Sequence, residues 1–247
     1  MGFSLAEREI YSRQIMMNEI GEDGQRKLAK ASVFVAGCGG LGTSALFYLA
    51  AMGIGRLGFC DGDEVSLSNL NRQLLYTMED LGQPKVAVVK KRLLALNPRL
   101  KATDYHCFLD EKTAAATIPD YDISVDCLDN FKDRFILNDA CVAAGKPFVH
   151  AGIGEFYGQI MTVTPGKGPC LRCLLPAGYQ KKEERLGVIG ATAGVLGAMQ
   201  ALEVLKYLLG LPVNNEGLAI FDGLHLSFEK VAFAASAECG CRGGKTL

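Results

Sequence analysis

The sequence predicts an α/β protein with a Rossmann-like, doubly wound sheet that is parallel in its first half and mixed or antiparallel toward the C-terminus. Short apolar, β-branched runs alternate with helical segments through residues 31–150, which is the pattern of parallel βαβ units with right-handed crossovers. The first of these runs ends in a glycine-rich turn at residues 37–42, as the first strand-to-helix connection of such folds does. From residue 151 onward, segments of period 2 appear, and these are typical of antiparallel strands.

Start and stop signals mark several elements of the first half. Ser4-Leu5-Ala6-Glu7 has the form of a capping box and predicts a helix that carries the next turns through Gln14. Pro84 stands where a first-turn proline starts a helix, and Asn97-Pro98 ends it near Leu96. The predicted strands are 32–36, 56–61, 102–106 and 122–126, and further helices are predicted after Gly24, from the glycine turn through Met52, and near 131–144.

The second half is expected to complete the sheet with antiparallel strands. Residues 159–164 and 218–233 contain alternating apolar and polar positions, and residues 194–209 have apolar residues at helical spacing, which predicts a core helix. We find no internal repeat and no low-complexity linker in the chain.

Composition and charge restrict the class of protein. A chain of 247 residues, 49% hydrophobic and 21% charged, is typical of a soluble globular protein with a sizeable core. Its 26 basic and 27 acidic residues leave a formal net charge of -1, so no strong field favours nucleic acid or an anionic membrane as a partner. The N-terminus lacks a secretion-signal pattern, and the uncharged, glycine-containing stretch 186–202 is short for a membrane span. We therefore expect a cytoplasmic protein.

The glycine turn predicts a nucleotide site. Gly37-Cys38-Gly39-Gly40-Leu41-Gly42 fits the pattern G-x-G-x-x-G, whose glycines permit close approach of the backbone to phosphate at a helix N-terminus. Asp61, at the end of the next predicted strand, is placed to accept hydrogen bonds from ribose hydroxyls. The alternative is a glycine turn beside a solvated aspartate.

The residues after Asp61 bear on the choice between NAD and a triphosphate. They place Asn69, Arg72 and Gln73 just beyond the ribose position, and Lys85 follows in the first turn of a helix. Hydride transfer has no need for this cationic pair, whereas attack on an α-phosphorus builds charge on the departing pyrophosphate, which fixed cations stabilise. For an arbitrary arginine and lysine, a solvated surface position is the commoner role.

A second carboxylate follows the strand at 122–126. Asp126-Cys127-Leu128-Asp129-Asn130 lies at the carboxyl edge of the predicted sheet, where ligands bind in such folds. Magnesium uses few protein carboxylates and shares substrate oxygens, so Asp129 is a candidate Mg²⁺ ligand, although the residues alone favour this no more than a surface role. Asp126 is expected to be structural.

Four of the nine cysteines form two close pairs, Cys170-Leu171-Arg172-Cys173 and Cys239-Gly240-Cys241. Two such pairs predict a closed structural Zn²⁺ site that joins the tail to the middle of the chain; free thiols or a redox pair are the alternatives. We expect the others to be core residues: Cys38, Cys60, Cys107, Cys127 and Cys141.

Together these motifs resemble the MoeB/ThiF/HesA adenylyltransferases, bacterial relatives of ubiquitin-activating enzymes. The resemblance covers nearly the whole length and depends on seven blocks in order. They are Tyr11-Ser12-Arg13-Gln14, residues 37–42, residues 61–73, Gly82-Gln83-Pro84-Lys85, residues 126–130, Cys170-x-x-Cys173 and the glycine-rich stretch before Leu202. It implies a single adenylation domain over 1–247, with N-terminal helices (1–30), a nucleotide-binding half (31–150) and a half for the carrier and zinc (151–247).

The resemblance implies ATP-dependent adenylation of the C-terminal Gly-Gly carboxylate of a ubiquitin-like sulfur-carrier protein, similar to ThiS or MoaD, with release of pyrophosphate. It implies that Asp61 binds the ribose, that Asp129 is linked to Mg²⁺, and that Arg13 reaches across a homodimer into the neighbouring ATP site. A carboxylate is already a nucleophile at pH 7, so positioning and charge stabilisation suffice, and the three histidines are expected to be structural. The implied nucleotide-binding residues are Gly37, Gly39, Gly40, Gly42, Asp61, Asp63, Asn69, Arg72, Gln73, Lys85, Leu128, Asp129 and Asn130, and the implied catalytic residues are Arg13, Asn69, Arg72, Lys85 and Asp129.

Two departures from the family pattern carry expectations of their own. The second zinc pair is usually C-x-x-C, whereas Cys239 and Cys241 are one residue closer. Some members carry a cysteine where this chain has Glu183, Glu184 and Arg185, so we expect the reaction to stop at the adenylate and a separate sulfurtransferase to supply sulfur. Residues 178–187 are expected to form a mobile loop over the carrier tail. An NAD-dependent oxidoreductase and a catalytically silent scaffold that binds ATP and carrier are the alternative functions.

Overall fold

The computed structural model describes residues 3–175, 186–237 and 239–242. Across these ranges the strands are β1 (Ser32–Ala36), β2 (Arg56–Cys60), β3 (Lys101–Tyr105), β4 (Ile123–Asp126), β5 (Phe148–Gly154), β6 (Tyr157–Val163), β7 (Gly217–Asp222) and β8 (Ser227–Ala232). The α-helices are α1 (Leu5–Ile10), α2 (Ser12–Ile15), α3 (Gly21–Lys30), α4 (Gly40–Ala51), α5 (Lys85–Leu96), α6 (Glu111–Thr117), α7 (Phe131–Ala143), α8 (Leu171–Leu174) and α9 (Gly190–Leu209).

The strands form one sheet in the order β3-β2-β1-β4-β5-β6-β7-β8. Neighbouring strands are parallel from β3 to β5, and β6, β7 and β8 are antiparallel to their neighbours. The predicted fold class is therefore confirmed. The order reverses between β1 and β4, and this switch point is where open α/β sheets bind ligands.

Successive residues of the central strand enter two different cores, because side chains alternate across a strand. Val33 and Val35 pack in a cluster that includes residues of α4, α5 and α9. Phe34 and Ala36 pack on the other face, in a cluster that includes residues of α6 and α7. Both faces of β1 are thus covered, which explains its uninterrupted apolar sequence.

The N-terminal helices lie at the end of α4 that is remote from the glycine turn. The capping box is confirmed: Glu7 N donates to Ser4 Oγ at 3.3 Å, and Ser4 N donates to the Glu7 carboxylate at 2.7 Å. The predicted helix is interrupted at Tyr11, and α3 begins at Gly21, before the predicted Gly24. Gln14 Nε2 donates to Met52 O at 3.4 Å, just beyond the last residue of α4.

Two features of the second half differ from the prediction. Helix α9 begins at Gly190 rather than residue 194, and a Cβ at Gly190 would lie 2.5 Å from Asn71 O. The start of α9 therefore packs directly on the segment that carries Arg72, which requires glycine there. The short helices α6 and α8 were not predicted. No helix in the ranges that the structure describes has the length and apolar character needed to span a bilayer.

Candidate functional site

The glycine turn lies at the carboxyl ends of β1, β2 and β4, whose last residues are level in the sheet. Gly37 has φ 96°, and a Cβ there would lie 2.6 Å from Cys127 O. A Cβ at Gly42 would lie 2.0 Å from Gly37 O. These two positions therefore exclude every other residue type. Gly39 is the N-cap of α4 and offers no side chain to the first turn, so the N–H groups that begin the helix are available to an anion.

Asp61 lies against this turn, as predicted. One carboxylate oxygen accepts from Cys38 N at 2.8 Å and the other from Asp63 N at 2.9 Å. Burial raises the pKa of the Asp61 carboxyl above its usual value, and the Lys85 ammonium opposes that rise. Two backbone donors thus orient a largely buried acceptor at the predicted ribose position.

Lys85 is a buried cation rather than a solvated surface charge. Only 5% of the residue is exposed, and its Nζ lies 2.7 Å from Asp63 Oδ2 and 3.8 Å from Asp61 Oδ1. A buried ammonium is costly unless it is paired. The structure therefore brings Lys85 and both carboxylates together at one point beside the glycine turn.

Arg72 and Asn69 lie on the turn after the 3₁₀ helix at Leu67–Asn69. The backbone oxygen of Asn69 accepts from Arg72 N at 3.1 Å, while its buried side chain accepts from Ser66 N at 3.0 Å. Arg72 is half-buried as a residue, and its guanidinium donates from Nη1 to Ser68 O at 2.8 Å in an exposed contact. Asn69 therefore shapes the turn that presents Arg72.

Gln73 supplies an observation that points to a ligand. The residue is 4% exposed, yet its buried Oε1 has no hydrogen-bond partner among the residues that the structure describes. An unsatisfied buried polar atom costs about 1–3 kcal/mol. The amide lies below the glycine turn, since a Cβ at Gly39 would be 3.8 Å from Gln73 Nε2. A hydrogen-bond donor bound at the turn would remove that cost.

The segment after β4 is held firmly and leaves one carboxylate exposed. Asp126 is fully buried, and its carboxylate contacts His150 Nδ1 at 2.7 Å and accepts from Leu128 N at 3.1 Å, so its predicted structural role is confirmed. Asn130 caps α7 by accepting from Asp133 N at 2.9 Å. Asp129, between these anchors, is exposed and accepts only a long bond of 3.3 Å from Asn130 Nδ2 within the described residues. It is thus available to a cation that water also ligates.

His150 is buried and structural, as predicted. Burial lowers the pKa of its imidazole, although Asp126 acts in the opposite direction. Gln159 Nε2 lies 3.3 Å from His150 Nε2, so the neutral ring donates from Nδ1 to Asp126 and accepts from Gln159. His225, by contrast, is exposed and contacts Asp222 at 2.7 Å.

The structure does not bring Arg13 to the nucleotide site of its own chain. Arg13 is exposed on α2, beside the C-terminal end of α4. The glycine turn is at the opposite end of this 12-residue helix, about 18 Å away at 1.5 Å per residue. An arginine side chain does not span that distance.

Four cysteine sulfurs form a compact cluster. Cys170 Sγ lies 3.9 Å from Cys173 Sγ and 3.5 Å from Cys239 Sγ, and Cys173 Sγ lies 3.5 Å from Cys241 Sγ. All four sulfurs are within 4.8 Å of one another. A tetrahedral zinc with Zn–S bonds of 2.3 Å separates its sulfurs by about 3.8 Å. The close spacing of Cys239 and Cys241 therefore still fits a zinc site.

The remaining cysteines follow the prediction, with one exception. Cys38, Cys60, Cys127 and Cys141 are buried, and Cys107 is only partly buried. Burial raises the pKa of the Cys60 thiol to about 12, so this thiol is protonated and inert at neutral pH.

Sequence reasoning missed three residues at this edge of the sheet. The buried Tyr76 hydroxyl donates to Cys38 O at 2.8 Å and so supports the glycine turn. Gln200 Nε2, from α9, donates to Asp126 O at 2.7 Å. The third is Phe108, whose ring lies over Gly62. No local pattern signals any of them, because each contact joins elements that are far apart in the chain.

Some of the sequence predictions lie outside the described residues. They concern Glu183, Glu184, Arg185, most of the loop 178–187 and the tail glycines.

Comparisons with known proteins identify relatives over almost the entire chain. The model of the ThiF family matches residues 11–243. The sulfur carrier protein adenylyltransferase of Thermus thermophilus is 41% identical, over 97% of this chain and 92% of that protein. The sulfur carrier protein ThiS adenylyltransferase of Escherichia coli is 39% identical, over 95% of this chain and 94% of that protein. The adenylyltransferase and sulfurtransferase MOCS3 of Anopheles gambiae is 44% identical over 90% of this chain, which spans only 51% of that protein.

Solved structures confirm the fold. The crystal structure of E. coli MccB with ATP has a TM-score of 0.84 and 25% sequence identity, and the similarity covers 97% of this chain and 75% of that chain. The structure of MccB with AMPCPP and a selenomethionine form of MccA has a TM-score of 0.85 at 25% identity, covering 96% and 75%.

Proposed function

This chain belongs to the ThiF family, and on that basis we propose that it adenylates the C-terminal Gly-Gly carboxylate of a ubiquitin-like sulfur-carrier protein and releases pyrophosphate. It is an ATP-dependent adenylyltransferase that acts on a sulfur carrier, as its relatives are. The observation that carries the proposal is the buried Lys85 ammonium beside Asp61 at the glycine turn. A hydride-transfer site has no use for that cation.

The geometry of the turn supports the binding of ATP there. We assign the ribose hydroxyls to the Asp61 carboxylate, which Cys38 N and Asp63 N orient. The phosphates then lie along the N–H groups of the turn and the first residues of α4. The Gln73 amide lies below them: its Nε2 can donate to a phosphate oxygen, whereas its unpartnered Oε1 needs a donor from the bound nucleotide. Gly37, Gly39, Gly40 and Gly42 keep the backbone close enough for these contacts.

Adenylation needs an oriented carboxylate and cations around the triphosphate. The carrier carboxylate attacks the α-phosphorus without a general base, because it is ionised at neutral pH. Arg72 and Lys85 stabilise the charge that develops on the departing pyrophosphate. Lys85 also opposes the rise in the pKa of Asp61, which favours the ionised form of the ribose acceptor. Asp129 is the residue that would hold Mg²⁺, which supplies further positive charge at the phosphate oxygens.

ATP–pyrophosphate exchange tests this proposal. Purified protein is assayed with each candidate carrier ending in Gly-Gly, with Arg72→Ala and Asp129→Ala as variants. We expect exchange that requires one carrier and is lost in both variants. Absence of exchange with every carrier, despite measurable ATP binding, would instead support the silent scaffold, and preferential binding of NAD(H) would support the oxidoreductase.

We further propose that the protein works as a homodimer in which Arg13 completes the partner's site. The support is geometric: Arg13 is exposed, has no partner in the described ranges, and lies at the far end of α4 from its own glycine turn. A residue in this position serves a neighbouring molecule or none.

Mixed dimers test the role of Arg13. Arg13→Ala and Lys85→Ala are each expected to be inactive alone. When the two are unfolded together and refolded as mixed dimers, exchange should recover to about a quarter of the wild-type rate, since half the dimers are mixed and each holds one complete site. Arg8→Ala, a variant of another exposed N-terminal arginine, should remain active alone. No recovery in the mixture would mean that Arg13 does not act in trans.

We infer that a separate sulfurtransferase supplies sulfur, because this chain has Glu183, Glu184 and Arg185 where some family members carry a cysteine. The MOCS3 relatives are named for both adenylyltransferase and sulfurtransferase activities, and this chain spans about half their length. We propose that this chain is one adenylation domain that stops at the acyl adenylate, that it works in the cytoplasm, and that a separate sulfurtransferase follows. Isolation of a covalent adduct between the enzyme and its carrier on any cysteine would contradict this.

A further inference from the structure

Phe108 is a large aromatic residue left exposed beside the ribose-binding turn. It follows β3 and is 66% exposed. Its ring lies directly on the backbone of Gly62, because a Cβ at Gly62 would be 2.6 Å from the ring carbons Cδ2 and Cε2. Gly62 is the residue between Asp61 and Asp63, the two carboxylates that contact Lys85. The ring therefore occupies the space that any side chain at position 62 would fill.

The neighbours of Phe108 show that its exposure is a property of the ring and not of a loose segment. Leu109 is buried, and both it and Cys107 belong to the apolar cluster that Leu128 also joins. Asp61 N donates to Tyr105 O at 3.3 Å, which ties the end of β3 to the ribose-binding residue. Cys107 and Leu109 are thus anchored, while the Phe108 ring between them is turned away from the core.

The order of the strands places Phe108 where a nucleotide base is expected. The strands β3, β2 and β1 are neighbours in that order, and Tyr105, Cys60 and Ala36 are level in the sheet. The glycine turn follows β1, Asp61 follows β2 and Phe108 follows β3. Phosphate, ribose and base are joined in the same order, so a nucleotide with its phosphates at the turn and its ribose at Asp61 extends its base toward Phe108.

We propose that Phe108 is the aromatic platform on which the adenine of ATP stacks, and so a residue that determines nucleotide affinity. This rests on the proposed function of the site as an ATP site. Stacking on an aromatic ring uses the face of the base and tolerates different bases. Phe108 therefore strengthens binding of the nucleoside without contacting the reacting phosphorus.

This role predicts a large effect of Phe108 on the KM for ATP and a small effect on kcat. Phe108→Ala should raise the KM for ATP by roughly 5- to 150-fold, the range for removal of a base-stacking aromatic. It should leave kcat within a few-fold, because stacking is the same in the ground and transition states. Phe108→Tyr, which keeps the ring, should restore the KM. The matched control is Phe228→Ala, since Phe228 is 55% exposed on β8 at the opposite edge of the sheet. A fall in kcat with an unchanged KM for ATP would overturn the proposal.

The absence of tryptophan from the sequence provides a direct readout. The chain contains no tryptophan, so Phe108→Trp creates a protein with one tryptophan at the proposed platform. ATP should quench its fluorescence over the concentration range that supports pyrophosphate exchange, while inorganic tripolyphosphate, which lacks a base, should not. Phe228→Trp should not respond to ATP.

These measurements separate failure of the inference from failure of the proposed function. If wild-type and Phe108→Trp proteins both exchange pyrophosphate but ATP does not change the fluorescence of Phe108→Trp, the base does not stack on this residue. If ATP quenches the fluorescence and no carrier supports exchange, the platform stands and the adenylation reaction does not.

Discussion

Replacement of Lys85 with alanine should lower carrier-dependent ATP–pyrophosphate exchange by about 10²–10³-fold, the usual loss when one preorganised charge-stabilising group is removed from an active site. Lys85 is the buried cation nearest the ribose acceptor, with Nζ 2.7 Å from Asp63 and 3.8 Å from Asp61. Its removal deprives the departing pyrophosphate of a fixed charge. It also leaves two carboxylates facing an anionic substrate without their counter-ion.

Lys90→Ala is the matched control for this variant. Lys90 lies on the same helix, α5, and pairs with Asp104 at 2.6 Å, but it is much more exposed than Lys85 and its partner is on β3. The exchange rate of Lys90→Ala should stay within about twofold of wild type, as for an exposed ion pair. Equal losses in the two variants would show that damage to α5, rather than loss of the site's cation, explains the effect.

Loss of Lys85 should also change the dependence of ATP binding on pH. Burial raises the pKa of Asp61, and Lys85 is the strongest influence that lowers it. Without Lys85 the pKa of Asp61 rises further. In the proposed function Asp61 binds ribose as a carboxylate. Its protonation on acidification, and with it the increase in KM for ATP, should therefore occur at a higher pH in Lys85→Ala than in wild type. A KM–pH profile measured for both proteins tests this shift, and superimposable acid limbs would contradict it.

Local sequence patterns predicted most of the secondary-structure elements, but they failed where contacts between distant elements determine the structure. The strands β1 to β4 were predicted within one residue at their ends. β1 and β4 are short, fully buried runs and β2 is nearly so, whereas β3 is largely polar and at most half-buried. Helix α6 was missed because Glu111–Thr117 is short and alanine-rich and has no apolar stripe. The start of α9 was placed four residues late because glycines at 190 and 194 argue against a helix. Gly190 is required by close packing, because a Cβ there would lie 2.5 Å from Asn71 O, whereas a Cβ at Gly194 would meet no atom within 4 Å.

The candidate site, too, was predicted only in part from the sequence. Motif spacing named Asp61, Lys85 and Asp129, because these residues follow strands or begin a helix at the ligand-binding edge. Spacing did not reveal that Lys85 pairs with Asp63, that the Gln73 Oε1 atom lacks a partner, or that Phe108 covers Gly62. Each of these depends on side chains that meet across different elements. The cysteine cluster is a further case. The Cys239–Cys241 spacing departs from the usual C-x-x-C, yet the four sulfurs lie within 4.8 Å of one another.

Removal of the metal from the cysteine cluster is expected to affect stability strongly and chemistry little. The cluster joins Cys170 to Cys239, 69 residues apart. Cross-linking a loop of that length restricts the unfolded chain by about 4 kcal/mol in the chain-entropy model. For a protein of this size, each kcal/mol corresponds to roughly 2–4 °C in Tm. Cys173→Ser should therefore lower the Tm by about 8–16 °C, and the metal content of the purified protein should fall from one zinc per chain toward zero.

Cys107→Ser is the matched control, because Cys107 is partly buried like Cys173 but lies outside the cluster. It should retain one zinc and a Tm close to that of wild type.

Chelation of zinc from the wild-type protein should lower the Tm to the same extent as Cys173→Ser. ATP binding measured well below the unfolding transition should persist, because the four cysteines are separate from the proposed nucleotide-binding residues. Wild-type protein purified with zinc in the medium but free of metal, or a Cys173→Ser variant that keeps both metal and Tm, would show that the cluster consists of four thiols packed without a structural ion.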